Sequence, residues 1–287
     1  MVLASSFYGY GQSTNKAAQE VFEKGAKAYR NKDFNSAIFN YTKAIEIDPK
    51  NAIAHYARGA AYGNLKKYPE AIADYTKAIE LDPKFAGAYY DRGIMYAELK
   101  NYPEAITDFT KAIELDPKHV STYNRRGNAY AALERYPEAI ADFTRTIELD
   151  PKYMFAYNNR GNAYRELKKY LEAIADYNKA IELNPKYAVA YYGRGNGYIK
   201  LNKHAEAIAD FTRTIELDPQ YMFAYFDRGI VYSLLKRYPE AIADYTKTIE
   251  LDPKYMFAYY GRGDAYKALG KIKEAEADFA KVKSLEK

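Results

Sequence analysis

Seven arginines, Arg58, Arg92, Arg126, Arg160, Arg194, Arg228 and Arg262, each stand immediately before a glycine. An aspartate follows each of them sixteen residues later: Asp74, Asp108, Asp142, Asp176, Asp210, Asp244 and Asp278. A row of guanidinium groups could hold anions. A matched carboxylate for every arginine argues for the structural use instead, a bidentate pair tying one helix to another. Such a pair adds little net stability, but losing one partner leaves a costly unpaired charge. His55, His119 and His204 do not cluster, so no metal site is expected. No nucleophile–base pair stands out, and the glycines of the RG-x-AY stretches recur without a preceding strand, unlike those of a phosphate loop. Neither catalysis nor a cofactor is expected.

The elements that position these residues follow from a strict period. Asp/Asn-Pro recurs at Pro49, Pro83, Pro117, Pro151, Pro185, Pro219 and Pro253, every 34 residues. In residues 52–85, His55, Gly59 and Tyr62 share one helical face, and Ala71, Tyr75 and Ala78 share another, widened by Ile72, Ile79 and Leu81. Two amphipathic helices per period account for the pattern. Facing Gly and Ala permit a close approach, and the tyrosines fill the space beside them. Pro69 suits a helix start, and Asp82-Pro83 ends the second helix because the residue before proline is pushed out of the helical region.

The Gly-x2-Tyr, Ala-x3-Phe/Tyr and terminal Pro pattern resembles the tetratricopeptide repeat. The resemblance covers residues 17–287 and implies an all-α fold, a right-handed superhelical solenoid of antiparallel helix pairs. Eight repeats are expected, over 18–51, 52–85, 86–119, 120–153, 154–187, 188–221, 222–255 and 256–287. Residues 1–16 are expected to form a flexible or capping tail, whose Phe7, Tyr8 and Tyr10 could cover the first helix or seek a partner. At the other end, Glu276 and Lys283 replace the isoleucines seen at Ile242 and Ile249, a polar outer face that disfavours polymerisation there.

In this family the face of the first helices that packs on no second helix lines a concave groove. Relative to each repeat glycine it comprises the residues six before, three before, one after and four after. The resulting candidate peptide-binding residues are Tyr90, Asn124, Asn128, Phe155, Asn158, Asn162, Arg165, Val189, Tyr192, Asn196, Phe223, Phe226, Phe257 and Tyr260. The asparagines are expected to bond a ligand backbone, and the aromatics to select apolar side chains. The carboxylate clamp of chaperone-binding members is not matched: its positions hold Phe22, Ala26, Ala57, Gly87 and Asp91. YMFAY, at 153–157, 221–225 and 255–259, spans a repeat junction, with its phenylalanine on the groove stripe. Its repetition reflects duplicated units and is not independent testimony to function.

Composition agrees with a binding module. The chain holds 33 Tyr, no Trp and no Cys, which excludes disulfides and thiolate metal sites. A net charge of +5 with interleaved signs gives no basic stripe for nucleic acid. No apolar run has the length of a membrane span, and a cytoplasmic monomer or weak dimer is expected. The leading expectation is an adaptor that binds an extended, partly apolar peptide segment of a partner. Self-association through the N-terminal face is the alternative, and an RNA-binding superhelix is a more distant one.

Overall fold

A computed structural model describes residues 15–285. The chain divides into two compact units, residues 1–150 and 151–287. The first contains α1 (Lys16–Arg30), α2 (Phe34–Ile47), α3 (Ala52–Asn64), α4 (Tyr68–Leu81), α5 (Ala86–Glu98), α6 (Tyr102–Leu115), α7 (Val120–Ala132) and α8 (Tyr136–Leu149). The second contains α9 (Met154–Glu166), α10 (Tyr170–Leu183), α11 (Ala188–Lys200), α12 (His204–Leu217), α13 (Met222–Leu234), α14 (Tyr238–Leu251), α15 (Met256–Ala268) and α16 (Ile272–Leu285). Among the described residues every regular element is an α-helix, and within each unit the helices pack in tandem pairs. Phe7, Tyr8 and Tyr10 lie outside the described residues.

Short, chemically specific turns make the pairs. At the end of α3, Lys67 N–H donates to the Tyr62 carbonyl and Lys66 N–H to that of Gly63, while Lys66 adopts a left-handed φ of 58°. That double bond pattern satisfies carbonyls the helix end would otherwise orphan. Among the described residues six other non-glycine residues take this conformation, and only Gly270 supplies the residue type that tolerates it without steric cost. At the far end of each pair, Asp82 closes α4 and its carboxylate accepts from Lys84 N–H at 3.0 Å.

The seam inside each pair departs from the Gly-opposite-Ala expectation in one respect. The glycine leaves room mainly for the aromatic ring sixteen residues later. A Cβ on Gly93 would lie 2.8 Å from Phe109 Cε1, and one on Gly195 would lie 2.7 Å from Phe211 Cε1. The seam alanines, such as Ala105 and Ala207, are fully buried beside these rings. The outer side of α16 carries Glu276 and Lys283 exposed, where Ile242 and Ile249 of α14 are half-buried.

Candidate functional site

The arginine row is structural throughout. Arg92 on α5 donates from Nε and Nη2 to the two carboxylate oxygens of Asp108 on α6, at 2.8 and 2.7 Å. The same fork joins each of the other six arginines to its expected aspartate. A third link was not evident in the sequence. Arg92 Nη1 donates at 2.9 Å to Thr76, on the second helix of the preceding pair. Arg58 does so to Thr42, Arg126 to Thr110, Arg194 to Asn178, Arg228 to Thr212 and Arg262 to Thr246. Each of these guanidiniums therefore joins three helices. The tyrosine three after each glycine, read as space filler, also steadies a charge. Tyr89 and Tyr96 flank the Arg92 guanidinium at 5.8 and 6.0 Å. Burial lifts the Asp210 and Asp244 carboxyls above their ordinary range despite the arginines. At Asp74 burial pushes the same way, but Arg58 and His55 together outweigh it and the carboxyl ends lower.

The stripe of first-helix residues divides into exposed and tethered members. In the second unit Phe155, Phe223, Phe257 and Tyr260 are exposed at 47, 46, 58 and 55%. Their rings are steadied at the edges: Phe155 meets Tyr187 at 5.7 Å, and Phe223 and Phe257 both meet Tyr255, at 6.0 and 5.6 Å. Phe226 and Tyr192 are half-buried instead. Phe226 lies perpendicular to Tyr255 at 5.0 Å, and Tyr192 stacks on Tyr221 at 4.9 Å while its hydroxyl donates to Asp227 at 2.7 Å. Val189 is exposed.

The polar members differ similarly. Asn162 accepts the Tyr177 hydroxyl on its oxygen at 2.7 Å. Asn196 Nδ2 donates to the Tyr192 carbonyl at 3.2 Å, and Arg165 donates to Glu166 at 2.9 Å. Asn158 is buried at 3%, its Oδ1 without a hydrogen-bond partner. In the first unit Tyr90 is half-buried against His119 at 4.9 Å, Asn124 is buried and Asn128 is exposed.

Tyr56 and Asp91 repeat the Tyr192–Asp227 bond in the first unit, at 2.6 Å. Burial pushes the Asp91 carboxyl up to about 6, against the Tyr56 hydrogen bond that favours ionisation. The native chain thus holds the Asp91 proton more tightly than the unfolded chain, and stability falls as pH rises from about 4 to above 6. Asp91→Asn removes this dependence. In urea denaturation the variant should gain about 1–3 kcal/mol on the parent between pH 4 and pH 7.5. An unchanged difference between the two pH values would refute the assignment.

Among the described residues no three His, Asp or Glu side chains converge as metal ligands, and no helix is long and apolar enough to cross a membrane.

Tetratricopeptide repeat models match residues 52–85, 86–119, 120–153, 155–187, 188–221 and 223–255, with further matches at 27–66 and 244–277. These cover well over half of the chain, which belongs to the tetratricopeptide repeat family. It is thereby placed among proteins whose repeats serve as protein-interaction scaffolds and are generally without catalysis. No curated protein sequence matches the chain. Among solved structures, YrrB, described as a tetratricopeptide protein with an unusual peptide-binding site, is 27% identical; the match covers 64% of this chain and 95% of YrrB, with a TM-score of 0.57. MamA is 28% identical over 56% of this chain and 94% of its own, with a TM-score of 0.54. A tetratricopeptide protein from Parabacteroides merdae shares the fold over 91% of this chain and all of its own, at 22% identity and a TM-score of 0.66.

Proposed function

We propose that the chain is an adaptor whose first-helix faces hold an extended, partly apolar peptide segment of a partner protein. The observation that carries this reading is the recurrence of half-exposed aromatic rings at equivalent places in the second unit: Phe155, Phe223 and Phe257, joined by Tyr260. Exposed aromatics at successive repeats mark an interaction surface, because leaving them wet forgoes the gain of burial. Edge contacts with Tyr187 and Tyr255 hold the rings in place before any ligand arrives, so less ordering entropy is lost on binding. Asn162, its oxygen fixed by Tyr177, offers an amide donor to a peptide carbonyl. The likeness to YrrB, with its described peptide-binding site, supports the same reading.

The test selects peptides by display on the full chain and measures their affinity for Phe223→Ser combined with Phe257→Ser. Both side chains are exposed, so the fold should persist, as circular dichroism would verify. Losing two anchors should cost about 2–4 kcal/mol, roughly thirty-fold or more in Kd. Unchanged affinity, or a failure to select any peptide, would remove these faces from consideration. Steep weakening with added salt would point instead to nucleic acid.

A further inference from the structure

An open pocket of ≈ 210 Å³ lies on the first-helix side of the first unit. Ala60, Gly63 and Asn64 of α3, Tyr75 of α4, and Asp91 and Met95 of α5 line it. It has room for the end of a side chain, several times the ~30 Å³ share of one water. Asp91 Oδ2 accepts from Tyr56, and Oδ1 has no hydrogen-bond partner among the described residues. The adjacent Arg92 is committed to Asp108 through two bonds. The titratable groups facing Asp91 are Tyr29 of α1, Tyr56 of α3 and Tyr75 of α4, none of them a cation. A half-enclosed carboxylate therefore looks into open space without a counter-ion.

The second unit contains the same device with a cation nearby. Asp227, like Asp91, stands two residues before its repeat glycine and accepts a tyrosine hydroxyl from the preceding first helix. There burial still lifts the Asp227 carboxyl, the Tyr192 hydroxyl and the Asn196 side chain draw it back by hydrogen bonds, and Arg165, four residues after Gly161, adds a smaller electrostatic pull toward the ionised form. The matching place in the first unit, four residues after Gly25, is Tyr29, whose hydroxyl is engaged by Asn64 at 2.8 Å. A second substitution opens the space: Ile199, four residues after Gly195, corresponds to Gly63. A Cβ at Gly63 would meet only the Met95 sulfur closely, at 3.2 Å, so the missing side chain widens the pocket up to Met95.

We propose that this pocket receives an arginine side chain of the bound partner segment, with Asp91 as its counter-ion. The proposal rests on the reading of the first-helix faces as peptide-binding surfaces and adds a charge requirement to it. Arginine fits better than lysine. Its flat guanidinium can lie against the Met95 thioether, sheds water more readily than an ammonium, and forks onto a carboxylate as Arg92 does on Asp108. Because burial lifts the Asp91 carboxyl to about 6, binding should weaken as pH falls below that value.

The probe is the capped tripeptide Ala-Arg-Ala, with Ala-citrulline-Ala as its uncharged isostere. The readout is the 13C-methyl methionine spectrum of the full chain, with the Met95 signal assigned by Met95→Leu. The arginine peptide should shift that signal saturably at pH 7.5, with a Kd of about 1 mM, as suits a single side chain. The citrulline peptide should bind at least roughly ten-fold more weakly, and the arginine peptide roughly ten-fold more weakly at pH 5 than at pH 7.5. Asp91→Asn keeps an acceptor for Tyr56 and should lose the preference for arginine. Tyr29→Arg places a cation at the position equivalent to Arg165 and should weaken the response to the arginine peptide by competing for Asp91. Equal binding of the two peptides, full binding by Asp91→Asn, or no shift at Met95 would each overturn the proposal. The tripeptide carries no large apolar anchor and reports on the first unit alone. Its result is therefore separate from that of the display-selected peptides on the Phe223→Ser, Phe257→Ser protein.

Discussion

Arg92→Met is expected to destabilise the first unit by about 3–5 kcal/mol, the cost of stranding a buried charge. Asp108 is buried and takes both of its strong donors from Arg92, at 2.7 and 2.8 Å. The variant also leaves Thr76 without its donor and Tyr89 and Tyr96 without the cation between them. Methionine nearly matches the arginine stem in length, so lost packing contributes little. Removing the carboxylate as well, in Arg92→Met with Asp108→Leu, should recover most of the loss, because no unpaired charge remains. Arg92→Lys should fall between, keeping the charge without the planar fork. Urea denaturation supplies the magnitudes, and hydrogen exchange supplies the location, which should centre on α4, α5 and α6. A loss under about 1 kcal/mol would mean that these pairs behave like exposed surface bridges.

The same residues show how far a sequence of this kind can be read. The Arg–Asp partnership was legible because both members sit at a constant spacing of sixteen within one repeat. The threonine link was not, because Thr76 belongs to the preceding repeat and its hydroxyl is one of many polar groups on α4. Helical spacing also placed Phe223 and Phe226 on one stripe, which they share. It could not separate the exposed ring from the half-buried one: both rings meet Tyr255, and Phe226 packs in addition on Tyr245 of the second helix. Asp91 was noted only as a mismatch to a carboxylate clamp. Its bond to Tyr56 crosses a repeat boundary, and the pocket beside it depends on the absence of a side chain at Gly63. Strict periodicity discloses what recurs inside a unit. Contacts between neighbouring repeats, and single departures from the period, need the fold.

The second large effect lies at the seam. Phe109→Ala should cost about 3–5 kcal/mol, since the ring is fully buried and its removal leaves a cavity against α5. Gly93→Ala should be costly for the opposite reason. Its new Cβ would stand 2.8 and 2.9 Å from Phe109 Cε1 and Cδ1, and 3.2 Å from Cζ. The ring, enclosed by the pair and fixed by its short stem, cannot swing away, so α5 and α6 must part, at about 1–3 kcal/mol. That penalty belongs to the pair and not to the glycine. With Phe109→Leu in place the edge of the ring is gone, and Gly93→Ala should become neutral or gain up to about 1 kcal/mol from better helix propensity. The double-mutant cycle measures the coupling directly, as a change of sign or near-sign in the effect of one methyl group. If Gly93→Ala costs the same in both backgrounds, the glycine is required by the backbone of α5 itself, and the ring is not what holds the two helices at this distance.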